Sequence, residues 1–508
     1  MTRSILPLFF LILIFSCETA EEQNPKKPNV ILILADDLGY GEVGYQGQKK
    51  IKTPNIDALS ATGMIFTNHY SGAPVCAPAR SVLLTGLHMG HTYIRGNDAM
   101  KERGDVWDYA KASADPNLEG QRNLPLDTET MSKMLQRAGY KTGIVGKWGL
   151  GAPLTDGIPN NLGFDYFYGY NCQRQAHNLY PTHLWENREK IPLDNDLVVP
   201  TTKLDQGADP NDPASYAKYE QNEYAPDLMH EKAMNFIVEN KDEPFFLYYA
   251  SPLPHVPLQI PGTDREGYIS ELGAEDPYDG KQGYFPNQFP NATYAAMITK
   301  LDQQIGEIRA KLIELGLEEN TMIIVTSDNG PTYTGGVDFD YFESSAPFTN
   351  GYGRTKGFLY EGGIRVPMLV SWPGKIKQST SDHISVFYDI FPTLAELVGM
   401  PISEEMDGKS FLPELMGKEQ EKHEYLYWEF PETGGQQAVR MGNWKAVRQN
   451  IVKENNLNIE LYDLSADILE QNNIAAQHPD LIKKFEEIMA KEHEVPVVST
   501  FRMAALGD

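Results

Sequence analysis

The chain has 508 residues, 41% of them hydrophobic, which is more than one core takes in and implies at least two units. Its 70 carboxylates against 44 lysines and arginines leave a net charge of −26, which excludes the basic stripe that nucleic-acid binding needs. Three cysteines are too few for a disulfide framework, so the fold is expected to stand on its core.

Residues 1–17 read as an export signal: Arg3, an apolar run from Ile5 to Phe15, then Ser16 and Cys17. That run is too short to span a bilayer comfortably. Ser16-Cys17 resembles a bacterial lipoprotein cleavage site, in which Cys17 becomes an acylated N-terminus. Residues 18–28 are then a tether, and the protein is expected in the periplasm or at the outer-membrane surface.

Asn29–Ala35 is a continuous apolar run and predicts a central strand buried on both faces. It ends in Asp36-Asp37-Leu38-Gly39, where open α/β sheets build their sites. A helix starts at Thr53-Pro54, and another covers 128–138 before a strand at 142–145. A helix near 227–239 leads to a strand at 245–249. The longest helical pattern, 293–315, leads to a strand at 321–326 that ends in Ser327-Asp328-Asn329-Gly330. Strands alternating with helices predict an α/β fold, a large and mainly parallel sheet sandwiched by helices. After residue 401 the aromatic-rich pieces 424–430, 437–447 and 459–462, with a helix at 479–490, predict a smaller antiparallel sheet. The expected units are thus 29–400 and 401–508. Residues 105–123 and 192–214 are polar and turn-rich, as expected of surface insertions near a cleft.

Pro74 to Gly86 is the most informative stretch. Pro78 fits the first turn of a helix, where its missing N–H costs nothing. Cys76 then sits at the helix mouth, where backbone N–H groups favour negative charge, and Arg80 follows one turn later. A buried structural cysteine is the competing reading. The pairs Asp36-Asp37 and Asp328-Asn329 offer oxygen donors only, which suits Ca²⁺ or Mg²⁺, although each pair alone is commonly a turn or cap.

Cys76-x-Pro78-x-Arg80 followed by Thr85-Gly86 resembles the signature of the type I, formylglycine-dependent sulfatases of the alkaline phosphatase superfamily. The resemblance implies that a maturation enzyme oxidises Cys76 to formylglycine, whose hydrate is the nucleophile. It also implies that Asp36, Asp37, Asp328, Asn329 and the modified Cys76 ligate one divalent ion, Ca²⁺ ahead of Mg²⁺. Gly146-Lys147-Trp148-Gly149-Leu150-Gly151 resembles the family's lysine motif, with Lys147 reaching nucleophile and sulfate. Ser251-Pro252-Leu253-Pro254-His255-Val256-Pro257 resembles the segment whose histidine, here His255, protonates the leaving oxygen. The segment 356–367 resembles the second sulfatase signature, with Lys356 on the sulfate; within it Glu361 and Arg365 are expected to brace. Arg80 is expected to offset sulfate charge alongside the two lysines. Gly149 departs from the pattern, because the family places there a histidine that contacts the formylglycine hydroxyl. His177 is expected in the vacated space, against a structural or substrate-contacting role.

The resemblance covers about residues 28–500 and implies a sulfuric ester hydrolase. Export and aromatic stretches such as Tyr166-Phe167-Tyr168 point to a sulfated glycan as substrate, with at least one of those rings in the core. A polyanionic substrate meeting so acidic a chain requires a pocket that is locally basic. The alternatives are a phosphodiester or phosphonate monoester hydrolase of the same superfamily and an inactive glycan-binding lipoprotein.

Overall fold

The structure is a computed structural model that describes residues 27–508; the expected signal, Cys17 and the tether up to residue 26 lie outside the described residues. Asn29–Ala35 forms the middle of a ten-stranded sheet and pairs in parallel with Phe245–Ala250 on one side and Thr321–Ser327 on the other. Lys141–Lys147 and then Tyr166–Tyr170 extend the parallel run beyond Phe245–Ala250. Beyond Thr321–Ser327, Met368–Ser371 runs antiparallel, followed by Met64–Tyr70 and Ser379–Val386. Two short antiparallel strands, His183–Glu186 and Glu189–Pro192, close the opposite edge.

The central strand shows why its sequence is apolar throughout. Val30, Leu32 and Leu34 enter the core on one face, with the helices Cys76–Thr85, Met131–Arg137 and Ile390–Val398. Ile31, Ile33 and Ala35 enter the core on the other, under Pro54–Ser60, Ala225–Glu239 and the 25-residue helix Pro290–Glu314. A strand with helices on both sides has no solvent face to make polar. The helix expected over 128–138 begins later, at Met131, because the Thr130 hydroxyl accepts the N–H of Lys133 and caps it there.

The second sheet is antiparallel: Leu426–Phe430, Gln436–Met441, Trp444–Arg448 and Glu460–Asp463. The single piece expected over 437–447 is a hairpin. Met441 pairs with Trp444, and a two-residue Gly442-Asn443 loop, with Gly442 at φ +58°, turns the chain between them. The helix Pro479–Lys491 packs on this sheet through Phe485, Ile488 and Met489. Leu426, Trp428 and Phe430 also belong to the large core, so the small sheet packs on the large one through one face. Tyr166, Phe167 and Tyr168 are also packing residues: Phe167 and Tyr168 are buried and Tyr166 stacks on Phe236. No helix among the described residues is long and apolar enough to cross a membrane.

Candidate active site

Strand register builds the site. Ala35 is level with Ser327, and Leu34 and Gly146 are both level with Ala250. The residues that follow, Asp36-Asp37, Asp328-Asn329 and Lys147, therefore leave the sheet along one edge. The helix Cys76–Thr85 is buried along its length and points its first residue at them. Pro78 falls in its first turn, and Gly86, at φ +71°, ends it with an N–H to the Val82 carbonyl. Asn97 Oδ1 accepts the N–H of Ala77 at 3.1 Å, so the helix mouth is capped from a distant loop.

Cys76 Sγ donates to Asp36 Oδ1 at 3.3 Å and accepts from Lys147 Nζ at 3.4 Å. Lys147 also pairs with Asp36. Asp37, held at φ +66°, takes Lys356 Nζ at 2.7 Å and Asn329 Nδ2 at 2.7 Å, and its own N–H donates to Asp328 Oδ1 at 3.1 Å. His255 Nε2 lies 3.7 Å from Asp37 Oδ2, while its Nδ1 is tied to the Val256 carbonyl. His177 stacks on His255 with centroids 5.3 Å apart and planes 9° apart. The Tyr284 ring stands edge-on to both.

Two placements bear on the expected roles. Arg80, expected to offset sulfate charge, is fully buried, with Nη2 3.7 Å from Asp36 Oδ2. Its Nε and Nη2 donate to Asp328 Oδ2 at 3.2 and 2.9 Å, and Nη1 donates to the Lys147 carbonyl. It fixes a carboxylate and the lysine's backbone. The space beside Gly149 is faced by Gln173, whose Oε1 is 3.2 Å from where a β-carbon would stand. His177 reaches the site against His255 instead. The helical geometry of the Pro74–Gly86 stretch and the brace at Glu361 do follow the sequence: Arg365 Nη1 donates to Glu361 at 2.9 Å.

The electrostatics are those of crowded charges in a dry place. Burial raises the Asp36 pKa, but Lys147, His255, Arg80 and Lys356 outweigh it and hold this carboxyl well below the usual range. Burial pushes Asp37 up against the pull of Lys356. Burial and the Asp36 charge push Asp328 up to about 6 despite Arg80. Burial, then Asp328 and Asp36, pushes the Cys76 thiol up, so the cysteine itself is kept neutral and is a poor thiolate nucleophile. Burial and Lys356 push His255 well down; burial and His255 do the same to His177.

The residues present fit a hard cation. Asp36, Asp37, Cys76 and His255 each offer a ligand atom within 4.8 Å of one another. Asn329 Oδ1 is buried with no hydrogen-bond partner, a free oxygen at the place where a metal–oxygen bond would satisfy it. After burial, the Asp36 charge also raises Asp37 and Asp328, and a divalent ion would offset that repulsion between neighbouring carboxylates. Asn97, Gln173 and Tyr284 went unmarked in the sequence, because nothing in their local pattern separates them from ordinary loop residues.

A family model described as "Sulfatase" matches residues 28–400, and a second, "N-sulphoglucosamine sulphohydrolase, C-terminal", matches 352–494. The chain is 30% identical to an N-acetylgalactosamine-6-O-sulfatase of Bacteroides thetaiotaomicron, over 92% of this chain and 93% of that protein. It is 32% identical to human arylsulfatase A, over 83% of this chain and 75% of that one. Among solved structures, Ps i-CgsB in complex with k-i-k-neocarrahexaose superposes with a TM-score of 0.70 at 27% identity, covering 93% of this chain and 94% of that one.

Proposed function

The chain belongs to the sulfatase family and is a sulfuric ester hydrolase; from that premise we propose that it desulfates a carbohydrate, using a formylglycine made from Cys76 and one Ca²⁺ ion. The observation that carries this reading is the placement of Cys76 Sγ, at a helix mouth, between Asp36 Oδ1 and Lys147 Nζ. A neutral thiol there is poorly placed to act, whereas an oxidised side chain at the same point meets both a cation and a metal pocket. Once hydrated, that aldehyde would supply one hydroxyl to attack sulfur and a second whose deprotonation would expel sulfate and restore the aldehyde.

Asp36, Asp37, Asp328 and Asn329 Oδ1 would hold the ion, which supplies a Lewis acid for a sulfate oxygen. Lys147 and Lys356 bring two ammonium groups to the same point and stabilise charge on the transferring group. Arg80 keeps Asp328 in place. His255 has Nδ1 occupied by a carbonyl and Nε2 directed at the site. Burial and then the Lys356 charge hold His255 down; a bound anionic ester offsets the Lys356 part, so the imidazole can take up a solvent proton and pass it to the departing alkoxide. His177, against the face of His255, is the group we assign to receive the proton of the second hydroxyl.

The carbohydrate substrate is supported by the similarity to an N-acetylgalactosamine-6-O-sulfatase and to Ps i-CgsB in complex with k-i-k-neocarrahexaose. Export with a lipid at Cys17, to the periplasm or outer-membrane surface, and maturation by a formylglycine-generating enzyme complete the proposal.

Co-expression with such an enzyme, mass analysis of the peptide carrying residue 76 and assay on 6-O-sulfo-N-acetylgalactosamine beside other sulfated sugars test it. An aldehyde in place of the thiol, with sulfate released, is expected. Active protein carrying an intact thiol overturns the nucleophile. Faster turnover of aryl phosphate diesters than of any sulfate ester overturns the substrate class.

A further inference from the structure

Residues 171–174 hold five buried side-chain atoms without a hydrogen-bond partner: both amide atoms of Asn171, Oε1 of Gln173, and Nε and Nη2 of Arg174. The mechanism uses none of them. The segment lies beside the site on two sides. Gln173 faces Gly149, two residues beyond Lys147, and the N–H of His177 donates to the Arg174 carbonyl at 3.1 Å. Arg174 is thus one 3₁₀ turn, about 6 Å along the chain, from the ring stacked on His255.

The Arg174 guanidinium lies over Trp107, 4.7 Å from the ring centroid, and that indole is 66% exposed. The helix Tyr109–Ala114 then holds the two segments together, with the Tyr109 hydroxyl donating to the Gln175 carbonyl and Ser113 bonded to the Gln175 side chain. Arg103 stands nearby. Burial lowers its pKa and the Arg174 charge lowers it further, and its Nη atoms go only to the carbonyls of Ala99, Glu119 and Gly120.

The carboxylates of this loop are committed elsewhere. Arg122 takes Asp98 and Glu102, and Glu119 receives His183 and Trp185. In a chain with 26 more carboxylates than cations, these two neighbouring arginines have no carboxylate partner among the described residues. A merely solvated arginine gains nothing from burying Nε and Nη2 unpaired, because each buried N–H without an acceptor costs stability.

We propose that Arg174, stacked on Trp107 and backed by Arg103, is a second anion subsite that recognises a carboxylate or a further sulfate on the sugar chain being desulfated. The guanidinium fork matches either oxyanion in a bidentate contact, after a turn of the long side chain. The open face of the Trp107 indole suits a sugar ring. This rests on the carbohydrate sulfatase reading and narrows it: the substrate carries a second negative group within about one sugar ring of the scissile sulfate.

The test uses the full chain with Cys76→Ala, which has no attacking hydroxyl, and three probes: 6-O-sulfo-N-acetylgalactosamine, the same sugar joined to a hexuronic acid, and its disulfated form. At least one dianionic probe is expected to bind about 10-fold or more tightly than the monoanion, and which one identifies the source of the second charge. Adding Arg174→Gln is expected to bring all three within about threefold of one another. Equal affinities before that substitution, or a preference that survives it, overturn the subsite. Failure of the matured, unsubstituted chain to desulfate any sugar overturns the sulfatase reading separately and leaves the binding comparison standing.

Discussion

Asn329 gives its Nδ2 proton to Asp37 Oδ1 at 2.7 Å and keeps its own Oδ1 buried without a partner. The amide is thereby held through its nitrogen, which also donates to the Gly330 carbonyl at 2.9 Å, and its oxygen is left available to a ligand. Asn329→Ala is expected to weaken calcium binding about 10-fold or more, read as the displacement of the calcium dependence of the unfolding midpoint. Chelation is expected to abolish sulfate release, with Ca²⁺ restoring it more fully than Mg²⁺, since an irregular oxygen set suits the larger ion. An unaltered calcium dependence in the variant removes Asn329 from the ligand set.

Cys76 Sγ makes two weak polar contacts, with Asp36 and Lys147, so little of the fold depends on it. Cys76→Ala is expected to lose turnover by about 10⁴-fold or more while melting within a few degrees of the parent. Calorimetry beside the sulfate-release assay checks both halves. Retained activity dismisses residue 76 as the origin of the nucleophile.

The stack of His177 on His255 puts two neutral imidazoles at one end of the site. His177→Ala is expected to lower kcat by about 10²- to 10⁴-fold, the range of a lost general base. KM should change far less. Full turnover of an activated aryl sulfate by this variant would return His177 to a structural role.

The parallel centre of the sheet was legible because Asn29–Ala35, Phe245–Ala250 and Thr321–Ser327 are buried along their length and hence apolar except at their ends. Their polar successors marked the site for the same reason. The outer strands were not legible. Met64–Tyr70 carries Thr67, Asn68 and His69, and its partner Ser379–Val386 is partly exposed, so neither shows an uninterrupted apolar run. The direction of Arg80 was also hidden, because it depends on Asp328, 248 residues away. A spacing of one helical turn placed its Cα correctly and said nothing of which anion would claim it.

Glu361 and Lys445 form a pair that is buried on both sides, 2.8 Å apart, and Tyr70 and Arg365 complete the carboxylate's shell. Burial raises the Glu361 pKa, but Lys445, Arg365 and Arg440 outweigh it and hold the group ionised. The pair ties the small sheet to the segment that carries Lys356. Lys445→Met removes one charge and leaves Glu361 and Glu470 facing each other, so a loss of about 3–5 kcal/mol is expected in urea unfolding. A double replacement, Lys445→Met with Glu361→Gln, should recover part of it. A single variant as stable as the parent means that the neighbouring arginines suffice.

Glu432 reaches from the small sheet's first hairpin to the helix mouth: its Oε1 accepts the N–H of Asn97, whose side chain caps Ala77. Burial pushes this carboxyl up to about 7 from an ordinary 4.5, with Asp98 adding to the shift against the Asn97 hydrogen bond. Between those two pH values the folded chain keeps a proton that the unfolded chain has released. Its contribution to stability is therefore complete below about 4.5 and is lost as pH rises through about 7. Glu432→Gln retains the acceptor and fixes the uncharged form. The variant should match the parent near pH 5 and exceed it near pH 8 by about 1–3 kcal/mol. Glu42 and Glu470, also raised to about 7 by burial, are present in both chains and cancel in the difference. Urea unfolding of both proteins across that interval measures it. Identical slopes would mean that Glu432 is already ionised in the fold at neutral pH, with water reaching it beside Asn97.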